Sequence, residues 1–164
     1  MRRRAIFIVL WGCGGLLCLS LPADTRAADS PQSRASLRGL SAFNVVVEQF
    51  RPPIEARGLT QQVLQSDVEL RLRQAGVVVS GDAPVLLYAN IAIVCNQIVC
   101  AYNINLEVHQ AVQLAARPEP GPRVAVTWNT GAIGLLSRRL HSLRDRLKDQ
   151  VDLFLNAYGA ANPK

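Results

Sequence analysis

The chain has 164 residues, with 18 basic and 12 acidic side chains for a net charge of +6, and nearly half of it is apolar. That is long enough for one domain with a real core, and too short to expect several. Four of the arginines (Arg2, Arg3, Arg4 and Arg26) sit in the first 27 residues against a single acid, Asp24, so residues 28–164 carry a net charge of only +3. This is too mild to point to a nucleic-acid partner.

Those first 27 residues read as a cleavable export leader. Arg2, Arg3 and Arg4 form a positive start, an apolar stretch runs from Ala5 to about Leu21, and Thr25, Arg26 and Ala27 form a small-x-small site. The expected cut follows Ala27. The apolar stretch is short and is interrupted by Gly12, Gly14, Gly15 and Ser20, which argues against a retained membrane span, so no transmembrane segment is expected after cleavage. Leu10 to Cys13 has the outline of a lipidation box, but an apolar run follows Cys13 where a polar tether belongs; a lipoprotein anchored through Cys13 is the minor alternative. The expected location is the bacterial periplasm or the exterior. Cys13 and Cys18 leave with the leader, and Cys95 and Cys100 remain.

Residues 28–37 are polar, lack periodicity and read as a flexible lead-in to a single domain over residues 38–164. Phe43 to Glu48 is β-branched and partly alternating, a strand that Arg51, Pro52 and Pro53 stop. Over residues 60–75, Leu64, Val68, Leu72 and Ala75 share one helical stripe, with Thr60 as N-cap and Gly76 as terminator. Val68 to Arg73 also alternates like a strand, but the caps and the strong helix formers favour a helix. Val77 to Val79 is a short strand or lead-in.

Two long strands follow. Val85–Cys95 puts Leu87, Ala89, Ile91 and Ile93 on one face, and residues 100–114 alternate Tyr102, Ile104, Leu106 and Val108 against Asn103, Asn105, Glu107 and His109. Such alternation predicts one buried and one wet sheet face. Residues 117–122, with three prolines, form a loop. A further strand carries Val124, Val126 and Trp128 on one expected face and is expected to break at Gly131 and Gly134. From about Arg138 to Tyr158, Leu140, Leu143, Leu147, Val151, Phe154 and Tyr158 recur at helical spacing. The order β-α-β-β-β-α predicts an α+β fold: a two-layer α/β sandwich, a mostly antiparallel sheet of about four strands with two helices on one face.

With this element order, a small exported domain resembles the lipopolysaccharide-assembly lipoprotein and the N-terminal domain of the Tol–Pal translocation protein. The stretches Leu64–Gly76, Ala101–Ile104 and Thr127–Gly131 are also similar to those of a group of small bacterial periplasmic proteins. These resemblances rest on layout. They imply a non-enzymatic role in the cell envelope and transfer no site residues.

The residues that could carry chemistry are few. Cys95 and Cys100 flank Asn96 to Val99; a four-residue loop would set the cysteines directly opposite for a disulfide, whereas a two-residue turn would leave them diagonal, and two free buried thiols are the other reading. The spacing of Cys95, Cys100 and His109 fits no zinc pattern, and neither a metal nor another cofactor is expected. No Gly-x-Ser-x-Gly or His-Glu-x-x-His occurs. Leu86, Tyr88, Ala92 and Val94 lie by parity opposite the buried set and are too apolar for simple exposure, so they are expected to be covered by the lead-in or by a partner. Trp128 is a core anchor by default, or else an exposed aromatic in such a site. The leading functional expectation is a periplasmic accessory protein that binds an envelope protein or lipid. The alternative is a small periplasmic hydrolase using the Glu107 and His109 face.

Overall fold

The computed structural model describes residues 30–50, 54, 58–115, 121–137 and 140–163. The leader with its cut after Ala27, the Cys13 alternative, the Arg51–Pro53 stop, most of the 117–122 loop, and Arg138 and Arg139 lie outside the described residues. In chain order the elements are α1 (Pro31–Ala35), β1 (Ala42–Val47), α2 (Gln61–Gln74), β2 (Val78–Val79), β3 (Leu86–Cys95), β4 (Val99–Val112), β5 (Arg123–Ser137) and α3 (Ser142–Ala161). The fold is α+β, with α2 and α3 covering one face of the sheet.

Local chemistry sets the ends of α2. The Thr60 hydroxyl accepts from the Val63 N–H at 3.3 Å, and Gly76, at φ +79°, ends the helix in the left-handed conformation that glycine adopts without a Cβ penalty. Leu64, Val68 and Leu72 point into the core, so the helical stripe prevails over the competing alternation at residues 68–73. In α3, Leu143, Leu147, Val151 and Phe154 form the matching stripe.

The sheet has five strands in the order β2-β1-β3-β4-β5. β1 pairs in parallel with both β2 and β3, while β3–β4 and β4–β5 are antiparallel hairpins, so the sheet is mixed. The parallel half follows from α2, which carries the chain from β1 back to the start of β2 as a crossover. Residues 31–35 of the expected lead-in form a short helix with the Ser30 hydroxyl as its N-cap, accepting from the Ser33 N–H at 3.1 Å.

Two expectations about β5 are corrected. The strand does not break at Gly131 or Gly134 but runs through both to Ser137. Gly134 lies opposite Tyr102 and Gly131 opposite Asn105, and each of those side chains occupies the space where a Cβ would be. The glycines therefore mark close approach within a continuous strand. Val124, Val126 and Trp128 also do not share a face. Val108 pairs with Trp128 and His109 with Val126, so Thr127 is the extra residue of a β-bulge. The bulge inverts parity: Trp128 enters the core, while Val124 and Val126 are exposed.

The core lies between sheet and helices. Phe154 meets Phe43 and Trp128 edge-on, with ring centroids 5.2 and 5.4 Å apart, and stacks on Tyr158. The Tyr158 hydroxyl donates to the Leu40 carbonyl at 2.6 Å, and Asn162 Nδ2 donates to the Leu37 carbonyl at 3.0 Å. These bonds hold the segment after α1 against the end of α3. α2 and α3 are clamped by two bidentate ion pairs, Arg144 with Asp67 and Arg71 with Asp152, whose four N–O distances are 2.7–2.8 Å.

Candidate functional site, the open face and outer edge of the sheet

The face opposite the helices is built in rows by the cross-strand register. Val94, Ala101 and Leu135 form one row; Ala92, Asn103 and Ile133 the next; then Asn90, Asn105 and Gly131; then Tyr88, Glu107 and Asn129; and finally Leu86, His109 and Val126. The rows change character along the strands. The middle is polar, and the end beside the β3–β4 turn is apolar.

At the end of the face farthest from the β3–β4 turn, His109 Nε2 and Glu107 Oε2 are 2.8 Å apart, and the His109 ring lies 5.4 Å from that of Tyr88. The Tyr88 phenol is held above its ordinary pKa, first by burial and then by the neighbouring carboxylates of Glu48 and Glu107. Glu107 thus orients the imidazole. Among the described hydrogen bonds, neither Glu107 nor His109 meets a serine, threonine or cysteine, and no described cavity is lined by either.

At the apolar end, the sequence-predicted residues are only part of the surface. Leu86 and Tyr88 are half-buried, while Ala92 and Val94 are exposed. The described part of the lead-in does not cover them. It packs on the helix side, where Ser36 donates to the Thr127 carbonyl at 3.1 Å and Gln110 Nε2 donates to the Ser36 carbonyl at 3.0 Å. Val94 is joined by Ile98, Ile133 and Leu135, which are 75, 83, 84 and 71% exposed respectively. The sequence does not single out Ile133 and Leu135, because Gly131 and Gly134 read as breaks in the strand. A cleft of about 300 Å³ adjoins this end, where β3 runs on past the last residue of β1; Glu48, Phe50, Asn90 and Val94 are among its lining.

Trp128 is not available to a partner. It is 1% exposed, packed against Phe154, and its indole Nε1 has no hydrogen-bond partner among the described residues. Cys95 and Cys100 are directly opposite in register and joined by a disulfide, with Cα atoms 4.0 Å apart. They line the helix side of the sheet, so His109, on the open face, is not near them. The turn between them is closed by Asn96: its N–H donates to the Val99 carbonyl at 3.0 Å, and its Oδ1 accepts from the N–H groups of Ile98 and Val99, both at 2.8 Å. The basic side chains of α3 are largely neutralised. Beyond the Arg144–Asp67 pair, Arg146 lies 3.6 Å from Asp149 and Lys148 lies 3.9 Å from Asp145. Among the described residues no helix is long and apolar enough to cross a membrane, and no group of three or more His, Cys, Asp or Glu side chains is placed to hold a metal ion.

No family profile matches the chain, and no curated protein matches it. Among solved structures, a variant PelC dodecamer from Paraburkholderia phytofirmans is similar at 15% identity and a TM-score of 0.38, covering 74% of this chain and 87% of that one. A likeness of that size assigns neither a family nor an activity.

Proposed function

We propose that this is a non-enzymatic periplasmic accessory protein that binds another component of the cell envelope through the apolar end of its open sheet face. The observation that carries this reading is the cluster of Val94, Ile98, Ile133 and Leu135, four large aliphatic side chains left exposed together beside the β3–β4 turn. Scattered exposed aliphatics are ordinary, but three that share one sheet face, Val94, Ile133 and Leu135, with Ile98 exposed in the adjoining turn, mark a surface that is covered in use. The Cys95–Cys100 disulfide, which an oxidising compartment preserves, supports the location. The export leader expected from residues 1–27 supports it as well.

The component bound is an envelope protein or a lipid, and a photo-crosslinking residue introduced at Val94 and expressed in cells separates the two. Crosslinks to one protein species, or to lipid, are expected from Val94 and not from Leu70, an exposed aliphatic on α2. Equal labelling from both positions would overturn the reading. A hydrolase using Glu107 and His109 is the weaker function, because that pair lies on an open sheet face and, among the described residues, no serine, threonine or cysteine is hydrogen-bonded to it.

A further inference from the structure

The outer edge of β5 is half protected. Near its start, the Thr127 bulge twists the strand and Ser36 occupies the Thr127 carbonyl. From Asn129 to Ser137 no described strand pairs with it. Natural sheet edges are usually blunted by lysine, proline, bulges or a covering segment. β5 has no charged residue and no proline anywhere from Val124 to Ser137, and its one described bulge lies in the protected half. The unprotected half is also where Ile133 and Leu135 stand exposed.

The direction of the free backbone groups can be worked out. The Asn96 N–H bonds the Val99 carbonyl, so Cys95 and Cys100 form the following, non-bonded pair, and alternation makes Ile93 and Tyr102 non-bonded as well. Tyr102 therefore turns its N–H and C=O toward β5, where it pairs with Gly134. Gly134 is thus committed inward, and Ile133 and Leu135 present their N–H and C=O groups to the open edge.

We infer that this edge pairs with β5 of a second copy of the chain, antiparallel about Gly134. In that register Gly134 faces Gly134, and Ile133 of each copy faces Leu135 of the other. The outward groups of Ile133 and Leu135 then exchange bonds across the junction, and the two aliphatic pairs meet on the open face. A two-fold junction needs a self-complementary strand, and residues 131–137 are one. Opposed strands also require compatible charge. Two uncharged edges meet without repulsion although the chain as a whole is positive. The junction spans roughly 23 Å of strand, at about 3.3 Å per residue. It is smaller than that of a permanent dimer, so a concentration-dependent equilibrium is expected.

The test is sedimentation equilibrium of the purified protein, expressed as the full chain, with no other component present. It is therefore independent of whether an envelope partner exists. The wild type is expected to dimerise reversibly with a dissociation constant below ~1 mM, the weak end of measurable association. Leu135→Pro removes one outward donor and no bond to β4, and Ile133→Lys places a charge opposite the apolar Leu135 of the other copy and sets the two lysines diagonally across the junction. Each is expected to weaken dimerisation at least tenfold. Should the proline variant melt early, the lysine variant, altered only at an exposed side chain, carries the test. A bifunctional thiol crosslinker is expected to link Ile133→Cys protein to Leu135→Cys protein faster than either to itself. A monomeric wild type would overturn the inference. So would variants that dimerise like the wild type, or a crosslink preference for like pairs.

Discussion

The phenol ring of Tyr102 lies over Gly134, its partner across the β4–β5 ladder, so closely that a Cβ on residue 134 would sit 2.8 Å from the hydroxyl oxygen. At Gly131 a Cβ would come within 2.6 Å of Asn105 Oδ1 and 2.7 Å of the Ile104 carbonyl oxygen. The two glycines differ in what would have to move. Opposite Gly134 it is a side chain, and opposite Gly131 it is partly the backbone of β4. Both Gly→Ala variants are expected to destabilise, within the roughly 1–3 kcal/mol typical of overpacking, with Gly131→Ala the more costly. Urea midpoints at constant m-value check the order; a stabilising Gly131→Ala would contradict the continuous strand described.

The disulfide is the next testable element. Cys95 and Cys100 are only five residues apart, and a loop that short restricts the unfolded chain modestly. The chain-entropy relation gives about 2 kcal/mol for the bridge. The double Cys→Ser variant is expected to unfold about that much more easily while keeping its far-ultraviolet spectrum, because the Asn96 turn closes the hairpin without sulfur. Reduced wild type should behave as the double variant does.

The helix clamp makes a prediction about acid. The hydrogen bonds from Arg144, reinforced by its charge, hold the Asp67 carboxyl below its ordinary pKa against the opposing effect of burial. A depressed folded pKa means that the unfolded chain takes up this proton first. The associated stability is present above the unfolded value, ~3.9, and is lost as the pH falls through the folded one. Arg144 is half-exposed, so screening limits the pair to about 0.5–1 kcal/mol. Asp67→Asn should cost that much at pH 7, and the gap to wild type should close below about pH 4. A gap that persists at pH 2 would show that the contribution is packing, not charge.

How far the sequence disclosed this molecule depended on whether a signal was local. The α2 stripe with its Thr60 cap and Gly76 stop is local and periodic, as is the alternation of β3 and β4, and the folded elements follow both. The direct opposition of Cys95 and Cys100 required only a four-residue loop. What was hidden depends on the partner across the ladder. Gly131 and Gly134 look like strand breakers until Asn105 and Tyr102 are seen filling their places. The extra residue at Thr127 leaves no mark on the alternation of Val124, Val126 and Trp128, yet it sends the last to the opposite face. Missing those two features hid Ile133 and Leu135, the most exposed aliphatics of β5 together with Val124. The candidate surface was therefore legible on β3, through Val94, and illegible on the edge strand.

Trp128 and Phe154 allow packing and polarity to be separated at one place in the core. Phe154 touches three aromatic rings, Phe43, Trp128 and Tyr158. Truncating it removes a fully buried side chain from a layer whose neighbours belong to different elements and cannot close together. Phe154→Ala is expected to cost about 3–5 kcal/mol, the range for large aromatic truncations. Trp128 is equally buried, and its Nε1 meets no acceptor among the described residues. Leaving a buried donor unmade costs roughly 1–3 kcal/mol. Trp128→Phe loses part of the indole volume and also removes that penalty. The two effects oppose, and the net cost is expected to stay under about 1.5 kcal/mol. Thermal and urea unfolding of both variants supply the comparison. If Trp128→Phe costs as much as Phe154→Ala, the indole nitrogen is bonded in solution and the unpaired donor is not a property of the folded protein.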